Sequence, residues 1–245
     1  MMLGASAPEI FPLLLTTPDI IALVWCFSLV AAYEFFSARG SLAKRSLSAS
    51  VQSYRTAWLT NMVARDQRHF DAILLSNLSQ SNAFFASTSV LGIGGLAAVM
   101  SSGDAARELL QRLPMVATTS MAMFEIKILL LISILVYAFF KFAWAFRLSH
   151  YTAIMFGAMP AHGDADTASR EHYAQQTAKM LQLVGNHANS GLRSFYYEFA
   201  AISWLFHPYL FMAMIALIVA VLIRREFLSH AAAILAATQP PRPQE

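Results

Sequence analysis

The sequence predicts an all-α integral membrane protein with four transmembrane helices and two cytoplasmic helical extensions. Of its 245 residues, 57% are hydrophobic and 13% are charged, which is about half the charged fraction of a soluble domain. Four apolar runs approach or exceed the roughly 20 residues that a helix needs to cross a ~30 Å hydrocarbon core. The basic residues flank these runs, so the net charge of +3 favours a lipid bilayer as partner and no nucleic acid.

The first predicted span covers residues 18–38. Pro18 and Asp19 suit a helix start, because Pro fits the first turn and Asp is favourable at the positive end of the helix dipole. The apolar run 20–36 follows, and a Ser-rich basic linker over residues 39–50 comes after the span.

Residues 51–100 are predicted to form one continuous helical run, because no Gly or Pro separates its two halves. The first half, 51–75, is amphipathic, and forms either a solvated cytoplasmic extension or a helix lying in the membrane interface. The second half, 76–100, is the second span. The apolar residues of the first half recur on one predicted face: Val51, Tyr54, Trp58, Met62, Phe70, Ile73 and Leu74.

The third predicted span covers residues 118–146 and can continue to Ala158, after a short outer helix over 105–112. Lys127 and Lys141 lie 14 helical steps apart, which is roughly 21 Å. Snorkelling can add about 5 Å on each side. The two lysines therefore look like markers of the membrane boundaries rather than buried charges.

Asp166 or Thr167 is a suitable N-cap for a second cytoplasmic helix over residues 168–185. The fourth predicted span covers 195–223. The Pro-rich tail, 231–245, is predicted to be disordered.

The distribution of Lys and Arg predicts the orientation. Six follow the first span and five more lie between the third and fourth spans, against five on the other side. Since basic residues favour the cytoplasmic side, both termini are predicted to be periplasmic, in a bacterial inner membrane. Arg224 and Arg225 oppose this assignment.

Polar residues inside a membrane segment are candidate functional residues, and the second span holds a dense group of them. Several recur at spacings of three and four and so share one stripe of the helix. The stripe either lines a cavity or substrate path, or bonds to a neighbouring helix, and the second interpretation is favoured. The polar residues are Asn77, Gln80, Ser81, Asn82, Ser87 and Thr88, with Phe84 among them.

Charged residues near the predicted cytoplasmic boundary form the second candidate group. We expect ion pairs among them, because an uncompensated charge at this depth is costly. A structural layer of charge pairs is the favoured interpretation, and a proton-carrying carboxylate is the alternative. The group comprises Glu34, Lys141, Arg147, Arg193 and Glu198.

His207 and Pro208 are predicted to lie near the middle of the fourth span, where Pro208 would kink the helix. His207 is interpreted as a hydrogen-bonded residue at this kink. Haem ligation by two histidines fails within one chain, since no second histidine is predicted at that depth.

No catalytic residue, cofactor or metal site is predicted. Cys26 is the only cysteine, and no zinc motif, nucleophile elbow or phosphate loop occurs. One group near the third span resembles a metal set by residue type alone, without ligand spacing: His162, Asp164, Asp166, His172 and His187.

Two stretches resemble an uncharacterised membrane family, domain of unknown function family 599. One comprises Arg55-Thr-Ala-Trp58, Met62, Asn77-Leu78 and Ala86-Ser-Thr-Ser89; the other comprises Gly191-Leu-Arg193-Ser-Phe195-Tyr196 and Trp204-Leu-Phe-His207-Pro208. A Gly often precedes the final Pro in that family, where this chain has His207. The resemblance implies a four-span membrane protein of bacteria and plants, without an established activity.

The function favoured by the sequence is a non-catalytic scaffold or accessory subunit. Its cytoplasmic helices would bind a protein partner, and the protein would form a homo-oligomer. The alternative is an oligomeric transporter or channel that uses the polar stripe of the second span. A membrane-embedded metalloenzyme is the weakest of the three.

Overall fold

The computed structural model describes residues 15–38, 46–63, 65, 67–112, 116, 120–160 and 166–238. These residues form α-helices and no strand, in agreement with the predicted all-α class. The helices are α1 (Thr17–Ala38), α2 (Leu47–Val63), α3 (His69–Ser101), α4 (Asp104–Gln111), α5 (Met121–Gly157), α6 (Thr167–Ile202), α7 (Pro208–Phe227) and α8 (His230–Ala237).

Three of these helices, rather than the four predicted spans, are long and apolar enough to cross a membrane. They are α1 over Thr17–Ser37, α3 over His69–Ser101 and α5 over Met121–Gly157. Length and composition alone support this assignment. The fourth predicted span is not one helix in the structure.

The predicted continuous helix over 51–100 is interrupted. α2 ends at Val63 and α3 begins at His69, although no Gly or Pro separates them. After the break, the predicted apolar face points outward. Phe70, which belongs to that face, is 66% exposed, whereas Asp71 and Leu75 are buried. Contacts to the segment just after α5 hold the new direction, since Arg68 donates hydrogen bonds to the carbonyls of Met159 and Pro160.

α5 is the central helix and packs antiparallel to both α3 and α6. The Phe85 ring on α3 stacks on Phe142 of α5, with centroids 5.2 Å apart. Phe142 also lies 5.4 Å from Phe195 on α6. Ser120 caps α5 by accepting a hydrogen bond from the Met123 amide.

α6 is continuous over Thr167–Ile202, so the predicted interruption between a helix ending at 185 and a helix starting at 195 is wrong. The N-cap is Asp166, as predicted, and its side chain accepts a hydrogen bond from the Ser169 amide. The Ser169 side chain and, second, its backbone amide lower the pKa of the Asp166 carboxyl. Residues 186–194, polar in sequence, stay helical because α6 is packed against α5 along its length.

The fourth predicted span is a helical hairpin. A short 3₁₀ turn, Ser203–Leu205, follows α6, and His207 is extended before α7 begins at Pro208. α7 runs back along α6, because Trp204 stacks on Phe211 while Arg225 donates to the hydroxyl of Tyr196. Pro208 therefore starts a new helix, where its missing N–H is tolerated, rather than kinking an existing one.

The hairpin gives the bundle two distinct ends. The Trp204 end contains the start of α1, the end of α3 and the α6–α7 turn. The α2 end contains α2, the starts of α3 and α6, and the ends of α1, α5 and α7. α7 thus runs parallel to α1 and returns to the α2 end, where Glu226 accepts a hydrogen bond from the Ser48 amide.

The first and last described residues, Leu15 and Thr238, therefore lie at opposite ends of the bundle. The placement of both termini on the periplasmic side remains a prediction. The described chain begins beside Trp204. It finishes with α8, whose C-cap residue Thr238 accepts a hydrogen bond from the Tyr54 hydroxyl of α2 through its carbonyl oxygen. Part of the predicted disordered tail is thus helical, and residues 239–245 lie outside the described residues.

Two main apolar cores correspond to these two ends. At the Trp204 end, α1, α5, α6 and α7 bury residues such as Ile128, Trp204 and Ile215. At the α2 end, α2, α5 and α6 bury a second cluster that includes Met62 and Leu181. The α2 end is therefore a packed helical unit rather than a set of separate extensions.

Candidate functional site

The predicted polar stripe of α3 lies on the outside of the bundle. Asn77, Gln80, Ser81 and Ser87 are all exposed, and Phe84 between them is 65% exposed. The stripe therefore lines neither a cavity nor a helix interface within one chain, in the part of the chain described. Its hydroxyls bond locally, as where Ser81 donates to the Leu78 carbonyl.

Asn82 is the exception among the predicted α3 residues, because its side chain is buried and 4% exposed. It occupies the face of α3 that packs on α5, together with Ser89, which donates to the Phe85 carbonyl. The remaining polar residues, Asn77, Gln80, Ser81 and Ser87, are exposed together, as expected from their spacing along the helix. The direction of that stripe depends on which face packs on α5, and local sequence does not specify it.

Glu34 and Arg193 form the ion pair expected near the α2 end. Arg193 Nε lies 2.8 Å from Glu34 Oε1, and Nη2 donates to Oε2 at 3.1 Å. The pair joins α1 to α6. The other predicted boundary charges behave differently: Lys141 lies over the Tyr137 ring, and Arg147 lies over the Tyr151 ring.

Glu198 lies farther from the α2 end than the sequence predicts. It is one and a half turns beyond Arg193 on α6, towards Trp204. Its side chain is 8% exposed, and its Oε2 atom has no hydrogen-bond partner among the described residues. It is therefore not part of the Glu34–Arg193 pair.

His207 caps α7 at the turn after α6 instead of lying within one continuous helix. Its backbone is extended, and its Nδ1 atom accepts a hydrogen bond from the Tyr209 amide at 3.3 Å. Because the chain reverses here, His207 sits at the Trp204 end of the bundle. The position predicted from a single continuous span is wrong for this reason.

A buried polar cluster at the Trp204 end is absent from the sequence predictions. Asp19 is 4% exposed and accepts a hydrogen bond from Trp204 Nε1 at 2.8 Å. Lys127 is 3% exposed, with its Nζ atom 5.4 Å from the Trp204 ring centroid. Lys127 is thus buried in the bundle, contrary to the expectation that it is not a buried charge, whereas its place at a membrane boundary remains a prediction.

A second buried carboxylate joins α2 to α3 at the other end. Asp71 is 1% exposed, and its Oδ1 atom accepts hydrogen bonds from Trp58 Nε1 at 2.6 Å and from Arg65 Nη1 at 3.2 Å. Asp71 also lies in the first turn of α3, where a negative charge is favourable. This arrangement fixes the break between the two helices.

The largest cavity among those described lies between α1, α5, α6 and α7. Its volume is about 610 Å³, and its walls are mainly apolar, with Ser133, Ser190 and Ser194 along one side and Glu34 among the lining residues. Cys26, the single cysteine, also lines it. The cavity is separate from the exposed stripe of α3.

The residues predicted as a possible metal set are not assembled into a site. Asp166 is committed to capping α6, and His162 and Asp164 lie outside the described residues. Among the residues that the structure describes, no group of three or more His, Cys, Asp or Glu side chains is placed to hold a metal ion.

The three long apolar helices have the length and composition of membrane-spanning helices. Residues 21–231 match the family described as "Protein of unknown function, DUF599". The chain belongs to this family, which confirms the resemblance seen in its sequence. No curated protein matches the chain, and no solved structure does.

Proposed function

We propose that the protein is an integral membrane protein with the α2 end in the cytoplasm. In this arrangement the three long apolar helices α1, α3 and α5 cross the bilayer. The second half of α6 and α7 pack against them and cross it as a hairpin, shielded in part by these neighbours. The 22 residues of α1 and the 20 residues of α7 extend about 33 and 30 Å, which matches the hydrocarbon core.

The charge distribution supports this orientation. Among the described residues, every Lys and Arg except Arg107, Arg112 and Lys127 lies towards the α2 end. Arg224 and Arg225, which oppose a four-span arrangement, lie on the basic side once α7 runs back to α2. Cytoplasmic placement of the α2 end then follows the usual bias of basic residues.

Within the membrane, the proposed function is that of a non-catalytic scaffold whose copies associate through α3. The exposure of α3 carries this proposal, because only 6% of its most apolar window is buried. α3 has 33 residues, about 50 Å, so it extends well beyond a ~30 Å core. Its exposed Phe70 and Ile73 lie at the α2 end, in the part proposed to extend into the cytoplasm.

A second copy of this chain fits the α3 surface. The exposed amides of Asn77 and Gln80 each donate and accept hydrogen bonds, so equivalent residues of two copies can pair. Farther along the helix, a Cβ added at Gly94 or Gly95 would meet nothing within 4 Å, which leaves room for the close backbone approach typical of membrane helix interfaces. Association would present the α2 ends as a repeated platform for a protein partner.

Disulfide crosslinking in native membranes tests this proposal, because Cys26→Ser removes the only cysteine. In that background, Ser81→Cys and Leu91→Cys, both on exposed parts of α3, should give disulfide-linked dimers on oxidation. Val24→Cys, 60% exposed on α1, is the matched control and should remain monomeric. Equal crosslinking at Val24, or none at either α3 position, would contradict the proposal.

Transport remains the alternative proposal, and the position of the stripe restricts it. Because Asn77 and Gln80 are on the outside of one copy, a path along them requires several copies around it. Flux in proteoliposomes that is lost with Gln80→Leu, while the α3 crosslinks persist, would favour transport over a scaffold.

A further inference from the structure

A polar pocket lies at the α2 end, between α2, α6 and α7. Its volume is about 290 Å³. It is separate from the cavity between α1 and α5, and α3 contributes no residue to its lining. The polar residues that line it are Arg55, Gln182, Asn186, Asn189, Arg225 and Glu226, with Ser48 at the start of α2.

Arg55 reaches this pocket because residue 185 is Gly. Its guanidinium lies against the backbone of α6, with Nη2 2.7 Å and Cζ 2.8 Å from the position that a Cβ on Gly185 would occupy. Any side chain at position 185 would therefore displace the guanidinium. α2 and α6 are held together around this contact, as where Gln52 Nε2 donates to the Ala178 carbonyl.

The charge of Arg55 has no counter-ion in the described part of the chain. No hydrogen bond or ion pair joins its guanidinium to another described residue. Burial lowers the pKa of Arg55 below its ordinary value, yet an arginine side chain stays charged in proteins. Since a partly buried charge without a partner is costly, the site is suited to an anion.

Arg225 adds a second cation at the edge of the pocket. Its guanidinium is held over the Tyr196 ring, 5.3 Å from the centroid, and Nη1 donates to the Tyr196 hydroxyl at 3.3 Å. Tyr196 therefore positions one nitrogen of the guanidinium, and the remaining N–H groups stay available for a ligand.

Glu226 does not neutralise the two arginines. It is 8% exposed, and Oε1 accepts a hydrogen bond from the Ser48 amide at 3.1 Å, so this carboxylate binds the first turn of α2. No ion pair joins it to Arg55 or Arg225 among the described residues. Two guanidinium groups and one carboxylate leave the pocket with an excess positive charge.

We propose that this pocket binds a phosphate group, clamped between Arg55 and Arg225 and hydrogen-bonded by the amides of Asn186 and Asn189. Guanidinium groups bind phosphate oxygens through paired, charge-assisted hydrogen bonds. The phosphate comes either from a phospholipid headgroup or from a soluble phosphorylated compound. The proposal concerns α2, α6 and α7, and so it does not depend on association through α3.

Thermal unfolding of the full chain, delipidated and purified in detergent, tests the proposal in two arms. One arm adds inorganic phosphate at constant ionic strength. The other adds phosphatidic acid in mixed micelles, with phosphatidylcholine as reference. At least one arm should raise the unfolding midpoint of the unchanged protein.

Arg55→Gln and Arg225→Gln should each weaken the binding about tenfold or more, as expected for a lost hydrogen bond between charged groups. Arg224→Gln is the matched control, because Arg224 is the adjacent exposed arginine and does not line the pocket. Gly185→Ala should also weaken binding, since its methyl group would displace the Arg55 guanidinium while only the end of a flexible side chain needs to move.

A stabilisation by phosphatidic acid alone would support the lipid as source, and a stabilisation by inorganic phosphate would support a soluble compound. The proposal would be overturned by no response in either arm. It would equally be overturned by a response that Arg224→Gln reduces as much as Arg55→Gln does.

Discussion

α5 and α6 approach each other closely at Gly191, and replacement of this residue by Ala tests the packing directly. A Cβ at position 191 would lie 2.7 Å from two atoms of the Phe142 ring, Cε2 and Cζ. Phe142 is 0% exposed and is held between Phe85 and Phe195. The ring cannot move aside without disturbing the packing of three helices.

The size of the effect follows from two opposing contributions. Inserting a methyl group into a packed core costs about 1–3 kcal/mol, whereas Ala stabilises a helix over Gly by about 1 kcal/mol. We expect Gly191→Ala to lower the free energy of unfolding by up to about 2 kcal/mol. In a chain of this size, each kcal/mol shifts the midpoint by about 2–4 °C.

Two other glycines provide matched controls within α3. Within one copy of the chain a Cβ at Gly94 would meet nothing within 4 Å, so Gly94→Ala should slightly stabilise the monomer in detergent. A Cβ at Gly92 would lie 2.8 Å from Cδ1 of Leu135, the flexible end of a side chain, so Gly92→Ala should fall between the other two. Denaturation of all three variants in the same detergent gives the order, and a Gly191→Ala variant as stable as Gly94→Ala would refute the proposed close contact.

Three further predictions concern contacts between helices. Trp58→Phe removes a hydrogen-bond donor from the buried Asp71 carboxylate and should lower the free energy of unfolding by about 1–3 kcal/mol. An unchanged free energy in denaturant unfolding would contradict the role of this bond in joining α2 to α3. A double-mutant cycle on Glu34 and Arg193 should give a coupling of about 1 kcal/mol or less that declines with salt, because the Glu34 side chain is 42% exposed. In the Cys26→Ser background, Leu228→Cys should react with a membrane-impermeant maleimide added on the cytoplasmic side. A cysteine introduced in the α3–α4 turn should react only from the other side. If both variants were labelled from the same side, the α6–α7 hairpin would be contradicted.

The elements predicted best are those with a local cause. The apolar run and the Pro18-Asp19 start place the first helix close to its observed bounds, and Asp166 caps α6 because its carboxylate can reach an amide three residues later. The third predicted span can continue to Ala158, and α5 ends at Gly157. In each case the residues that decide the structure are neighbours in the sequence.

The errors arise where distant residues decide. No Gly or Pro in the sequence marks the end of α2 at Val63. The break is held by the bond between Trp58 and Asp71, and by Arg68, which donates to carbonyls just after α5. The sequence at Pro208 is equally compatible with a kinked helix and with a new helix. Long-range contacts, such as that between Trp204 and Asp19, select the reversal, and the positions predicted for His207 and Glu198 change with it.

The reversal also separates the two proposed surfaces, which makes each one testable without the other. α3 packs chiefly on α5, and its exposed face lies away from the helices that form the pocket around Arg55. Because α7 returns to the α2 end, Arg225 stands beside α2, where a single continuous fourth span would place it at the opposite end of the bundle. Arg55→Gln should therefore leave the Ser81→Cys crosslink unchanged, and Gln80→Leu should leave phosphate binding unchanged. A loss of both properties in either variant would show that the two surfaces are coupled through the bundle, contrary to the packing described.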